Sequence, residues 1–288
     1  MTNEKNALRV ERRVPRQADR DPGGFIRKRR IIETCLAVGF PVLLLALWQT
    51  AGVNDWIDRR FYPPPSDILG EIQRTFQDNP KGNWWVHIGV SVRRMLWGYA
   101  WGVLAGLALG VGMGTSRKLR ATLEPTLNAL YTVPKLALIG IFLIVLGFDE
   151  KPLIAVIAVT VFFFVWMQSM HAVMSVPAQL RETARSFESG RVQAFRHVIF
   201  PAALPEIFLG LRVGAGVAVL TLIGAEFVYA PGLQGIGYRI NNARTVFDPL
   251  QAYVGLVVAA IVGSLFVSII KVIGKLVAPW ASNDRSVL

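Results

Sequence analysis

The chain has 288 residues, with 31 Lys+Arg against 19 Asp+Glu for a formal charge of +12; 53% of it is hydrophobic and only 17% is charged. Globular chains carry about 25% charge, and the apolar residues here gather into runs of roughly 20, enough to span a hydrocarbon core near 30 Å thick. A soluble domain is excluded, and because ten of the basic residues precede position 31, ahead of an apolar run, the charge points to anionic membrane lipid and not to nucleic acid.

Residues 1–30 read as a basic cytoplasmic tail ending in RKRR. Residues 31–53 follow as the first transmembrane helix. A cleaved signal peptide would have a shorter charged region and a small-residue cleavage site, whereas this run ends in Trp48, Gln49 and AGVNDW. Cys35 lies inside it, and a single cysteine excludes an intrachain disulfide and a thiolate metal cluster. Residues 54–94 are expected to form an extracytoplasmic loop. Residues 95–280 are expected to form a core of five further spans, at 95–114, 126–148, 152–174, 205–230 and 252–278, with a loop at 175–207 and a short tail at 281–288. Trp56, Trp84, Trp85 and Trp280 fall just outside the runs, where interface aromatics belong. With the N-terminus inside, cytoplasmic segments hold twenty Lys and Arg against seven outside, which places both termini in the cytoplasm, chiefly through the tail.

The second run carries Gly98, Gly102, Gly106, Gly110 and Gly114, a four-residue spacing that makes a slowly winding groove on one side of a helix. The groove reads either as ordinary helix contact or as tight packing in a moving core. Charged residues inside a bilayer cost about 2.5–3.5 kcal/mol on insertion scales and mark protein-facing or water-facing positions. Lys135 lies in the third run, and reads as a cation on the path of an anionic solute, as a partner for Glu226, or as a snorkelling lysine. Arg212 and Glu226, in the fifth run, line the same path, brace the bundle or form an outer gate. GVGMGTSRK is the nearest approach to a phosphate loop and places its lysine wrongly, so the chain has no ATPase site of its own. His87, His171 and His197 lack any ligand spacing and read as packing residues.

The loop at 175–207 is too polar to span and too patterned to be slack. Leu180, Ala184 and Phe187 recur at i, i+4, i+7, and Val192, Phe195 and Val198 make a second stripe, with Ser189 and Gly190 between them and Pro201 and Pro205 leading into the next span. The pattern describes a helix-turn-helix against the membrane that offers an apolar strip, with Glu182 and Arg185 at its rim.

These residues resemble the integral membrane permease subunits of ABC importers. Their cytoplasmic signature starts Glu-Ala-Ala, has a glycine six residues after the glutamate and ends Leu-Pro-like about nineteen after it. Here Glu182, Thr183 and Ala184 start the motif and Pro201 closes it, while Glu188 stands where the glycine is expected and Gly190 follows two residues later. Either the departure at 188 is tolerated or Gly190 has taken over the turn. The segments YPPPSDIL, HIGVSVRRMLWGYAWGVLAG, YTVPKLALIGIFLIVLGF and GAEFVYAPGLQGIGYRI are similar to the branch that imports nitrate, taurine, alkanesulfonates and related solutes. The resemblance implies an all-α integral membrane protein of about six transmembrane helices, a type I ABC importer-like bundle with a cytoplasmic coupling helix, in a bacterial inner membrane. It implies as partners two ABC ATPase subunits, which bind the ATP and Mg, a second permease copy in a homodimer, and an extracytoplasmic solute-binding protein. It implies a coupling role for Leu180, Glu182, Ala184, Arg185, Phe187, Glu188 and Gly190, and a small anionic solute. The alternative, a stand-alone secondary transporter or channel, is expected to show internal repeats, and the two halves of this chain share none.

Overall fold

The computed structural model describes residues 22–77 and 83–282. The basic tail therefore lies outside the described residues as far as position 21, and the C-terminal tail from position 283. Every regular element among the described residues is helical, and the chain divides into two units, Met1–Asp67 and Ile68–Leu288.

In the first unit α1 (Pro22–Val53) carries the apolar span Ile31–Val53, 23 residues long. Its polar end is fixed locally: the Gln49 amide donates to Ser66 Oγ at 2.9 Å and accepts the Ser66 N–H at 3.0 Å, while Arg59 pairs with Asp67 at 2.8 Å. α2 (Pro65–Gln77) crosses the boundary between the units.

The second unit continues with α3 (Trp84–Thr115), α4 (Arg117–Tyr131), a 3-10 turn Lys135–Ala137 leading into α5 (Leu138–Leu146), and α6 (Lys151–Met174). Then come α7 (Ala178–Ser186), α8 (Arg191–Val228), α9 (Ile236–Thr245) and α10 (Pro249–Val277). Helices α1, α3, α6, α8 and α10 are each long and apolar enough to cross a membrane, and α4 with α5, bent by 77° at their junction, makes either a sixth broken span or a re-entrant pair.

Three expected boundaries move, each for a local reason. The second span begins at Trp84, not 95, because Asn83 caps it, its side chain accepting the Trp85 N–H at 2.9 Å; Arg93 and Arg94 thus lie inside a helix, and the expected loop 54–94 is largely helical. Trp84 is no interface aromatic: it is fully buried among Ile236, Ile240, Val254 and Val258. The third run breaks at 132–134, since Pro134 cannot donate to a helical ladder and disfavours helix at Val133. The fifth span begins at Arg191 and runs through both prolines. A π turn at Phe195–Ile199 precedes Pro201, where the regular ladder is already interrupted and a missing N–H costs less.

Helices α3, α6 and α8 pack side by side, and α10 packs on α8 and α9. All five glycines of the stripe are buried against α6. A Cβ at Gly98 would lie 2.6 Å from the Ile157 side chain, at Gly102 2.6 Å from the Ala158 carbonyl, and at Gly110 2.5 Å from the Trp166 carbonyl. The structure displays the close helix contact that both readings of the stripe share. Tyr99, on the next face of α3, donates to the Leu211 carbonyl of α8 at 2.9 Å and sets its ring edge-on to Phe266 of α10 at 5.0 Å. The shared core is completed by Ile157, Val161, Val165, Ala215 and Leu222.

Gly110→Ala drives a methyl into backbone that cannot move aside, so thermal unfolding in detergent should show a loss of about 1–3 kcal/mol, the usual cost of overpacking. Gly140→Ala, where a Cβ meets nothing within 4 Å, should leave the transition in place or raise it. Equal behaviour of the two variants would remove close approach as the reason for the stripe.

Candidate functional site

The segment that joins α6 to α8 is short and tightly tied. Arg181 turns back and donates from Nη2 to the Val173 carbonyl at 2.6 Å, and Ser175 Oγ donates to Glu206 of α8 at 2.6 Å. Helix α7 ends in a Schellman arrangement, in which the Ser189 N–H bonds the Ala184 carbonyl five residues back at 3.2 Å. The residue at the left-handed position of that motif is Glu188, at φ 53°. Gly190, at φ −59° and ψ 157°, has an ordinary extended backbone and only precedes α8. The turn is therefore made at position 188, by a glutamate held in a conformation that costs about 1–3 kcal/mol for a residue with a Cβ.

The expected apolar stripes are rearranged. Helix α7 stops at Ser186, so Phe187 leaves the face it shares in the periodicity and stands 80% exposed, as does Val192. Ala184 points the other way and is 4% exposed, beside a cavity of 680 Å³ lined by Val111, Thr115, Val173 and Phe195. Phe195 and Val198 belong to the π turn of α8 and not to a separate second helix. Leu180 and Glu182 are exposed on α7; Arg185 is on the same helix and its side chain lies outside the described residues.

At the opposite end of the bundle a charged cluster is sealed between helices. Arg94 and Glu226 are each only 1% exposed and form an ion pair at 2.9 Å. Glu226 also accepts from Ser91 Oγ at 2.8 Å and from the Gly237 N–H at 2.9 Å. Arg94 donates further to the carbonyl of Gln234 at 2.8 Å and to Glu150 at 3.2 Å, which also pairs with Arg93 at 2.6 Å. His87 accepts the Gly235 N–H at 3.2 Å and stacks on Tyr238. Beside the cluster, Lys151 holds the exposed Asp149 carboxyl below the usual carboxylate range, through its ammonium and its backbone N–H.

Glu226 is thus enclosed and bonded on all sides, the geometry of a brace. Lys135 is not its partner. It lies at the break between α4 and α5, donates to the Tyr131 carbonyl and stands over the Tyr131 and Phe163 rings at 4.5 and 4.9 Å. Arg212 occupies a third place, in a cleft between α8 and α10. Sequence reasoning left Arg94, Ser91 and Glu150 unassigned, although two arginines inside an apolar helix demand carboxylates at the same depth, and Glu150 and Glu226 flank the spans that face them.

Residues 102–283 match the family model described as binding-protein-dependent transport system inner membrane component. The chain belongs to that family. Among its relatives, the putative aliphatic sulfonates transport permease protein SsuC of Bacillus subtilis is 32% identical over 84% of this chain and 86% of its own length. The taurine transport system permease protein TauC of Escherichia coli is 30% identical over 86% of this chain and 90% of its own. The fold is shared with a structure of the MetNI methionine ABC transporter in an inward facing conformation, with a TM-score of 0.58 at 19% identity, covering 65% of this chain and 92% of that one. The all-helical membrane fold and the membership in the ABC permease branch expected from the motifs both hold.

The geometry of the permease is testable at both ends of the bundle. Glu226→Gln withdraws the charge that faces Arg94 and should lower stability in detergent by about 3 kcal/mol, the lower end of the range for breaking a buried pair because Glu150 remains. Arg94→Met should cost less in the Glu226→Gln background than in the parent, the signature of direct coupling in a double-mutant cycle. Glu188→Gly relieves the left-handed residue and should raise local stability by about 1 kcal/mol, read as slower amide exchange at Phe187 to Gly190; Gly190→Ala should change it little.

Proposed function

We propose that the permease is the membrane subunit of an importer for a small anionic solute, of the sulfonate, taurine or nitrate kind, driven by ATP hydrolysed on partner subunits. The family carries the need for an ATPase and an extracytoplasmic binding protein; the names of the relatives support the solute class. Two ATPase subunits, which hold the ATP and Mg, meet two copies of this chain, since a pair of docking clefts is served most simply by a symmetric pair of permeases. Both termini face the cytoplasm, and the α7 end of the bundle lies on that side.

The observation that carries the coupling role is the pair of apolar side chains, Phe187 and Val192, left 80% exposed on a turn tied to a span on each side. A phenylalanine that fills a partner's cleft gains about 25 cal/mol for each Å² it removes from water, and Glu182 supplies an orienting polar contact at the rim. Leu180 extends the same surface, while Ala184 and Gly190 shape its support. On the solute path, Lys135 is the cation poised to meet an anion, its ammonium resting on aromatic faces with no carboxylate neutralising it among the described ion pairs.

Phe187→Asp should abolish solute-stimulated ATP hydrolysis, or release the ATPase from the membrane, while the yield of permease stays within about twofold of the parent, because the altered side chain is exposed and touches no core. Reconstitution of the permease with its ATPase and binding protein in proteoliposomes, with taurine, an alkanesulfonate and nitrate as solutes, makes the measurement. Full uptake by the variant would remove the turn from the mechanism, and uptake by the permease alone on an ion gradient would replace the importer reading altogether.

A further inference from the structure

At the α7 end of the bundle, Arg212 of α8 and Lys271 and Lys275 of α10 converge on a cleft of 410 Å³. Three features set it apart from a scatter of surface lysines. The two lysines stand four residues apart on one helix face, where like charges repel unless something negative sits between them. Arg212 Nε is buried and has no hydrogen-bond acceptor among the described residues, which leaves a charged donor unsatisfied below the surface. Among the described residues no carboxylate lies within ion-pair distance of any of the three cations; the ion pairs there join other groups.

The cleft also has an apolar side. Phe208 forms part of its wall, and Gly274 lets that ring approach, since a Cβ there would lie 3.0 Å from the Phe208 ring. Leu209 of α8 and Ile270 of α10 line it as well, and Leu209 is exposed, so the cleft opens onto a surface suited to hydrocarbon. Trp280, just beyond the end of α10 and also exposed, marks the level of the headgroups.

A small soluble anion satisfies the three cations and leaves the apolar flank unused. An anionic phospholipid satisfies both: its phosphate meets Arg212, Lys271 and Lys275, and its acyl chains lie along Phe208, Leu209 and Ile270. We infer that this cleft is a binding site for the headgroup of an anionic phospholipid. Basic recesses between helices suit such headgroups, and the leaflet rich in anionic lipid is the cytoplasmic one. The site rests on the proposed orientation only for which leaflet supplies the lipid.

The test is native mass spectrometry of the full chain in mild detergent, titrated with phosphatidylglycerol or with phosphatidylcholine of the same acyl chains. Phosphatidylglycerol should bind at least about fivefold more tightly. Lys271→Gln with Lys275→Gln, both at exposed positions that folding tolerates, should bring the two lipids to parity. The same loss of charge at Arg117 and Lys118 should leave the preference intact. Equal binding of the two lipids by the parent, or an undiminished preference in the lysine pair variant, would overturn the assignment. Displacement of phosphatidylglycerol by millimolar inorganic phosphate would overturn it as well, since the cleft would then be a site for soluble anions.

Discussion

Water cannot press two apolar helices together inside a bilayer, because the surrounding lipid is as apolar as they are. The contact between α3 and α6 must therefore hold by geometry, and the glycine stripe supplies it. With no Cβ at Gly98, Gly102, Gly106, Gly110 or Gly114, the backbone of α3 meets side chains and carbonyls of α6 at distances no larger residue permits. Many small dispersion contacts then replace the missing hydrophobic force. The rest of the bundle is hung on this pair. Tyr99 reaches α8 from the flank of α3, and Phe266 closes over Tyr99 from α10, so the position of two further spans follows from how closely the first two approach.

The buried charges depend on the same placement. Removing Arg94 and Glu226 from water is expensive, and their mutual attraction offsets that cost only when the remaining donors and acceptors also find partners. Here they do. Ser91 lies one helical turn before Arg94 on α3, so both reach Glu226 on α8, and the backbone of the 231–237 segment closes the remaining side with the Gly237 N–H and the Gln234 carbonyl. Gly235, at φ 132°, packs so close that a Cβ would lie 2.4 Å from the Glu226 carboxyl carbon, and only glycine fits there. A cluster with this many fixed partners has one good arrangement, and it locks α3, α8 and the start of α6 in register.

Much of this was legible in the residues. Apolar runs near 20 residues located five unbroken spans and the bent α4–α5 pair, because the bilayer imposes that length whatever the tertiary context. The four-residue glycine spacing read correctly as a contact groove, because periodicity alone sets which residues share a face. The turn after α7 was placed by motif, and the odd residue in it, Glu188, is the one that carries the positive φ. What could not be read was direction. The Leu180, Ala184, Phe187 periodicity assumed a helix that continues, and it stops at Ser186, sending Ala184 inward and Phe187 outward. Lys135 and Glu226 are both charges in apolar runs, yet pairing depends on which helix faces which, and Glu226 is held by an arginine that seemed to lie at a helix edge. The expected loop before position 95 hid that arginine, since a span that begins with two tryptophans and a histidine is not distinguished by hydropathy from an interface.

The helix that leaves the turn after α7 is also the helix that ends in the charged cluster. α8 runs from Arg191 to Val228 without a break in its helical course, so Val192 and Glu226 are separated by roughly 50 Å of one rod at 1.5 Å per residue. A rod cannot stretch, and a displacement of its exposed end leaves two outcomes. The π turn at Phe195–Ile199, where the ladder of α8 is altered, bends and absorbs the motion near the turn. Alternatively the motion reaches the far end, where Glu226 must either carry Arg94 with it or leave a charge buried without its partner. The second loss is the larger, so α3, bound to Glu226 through Ser91 and Arg94 and to α6 through its glycines, travels with α8 as one body. The compliant element is then the π turn, and the bundle beyond it moves as a unit or not at all, which is the behaviour rigid-body switching requires of packed helices.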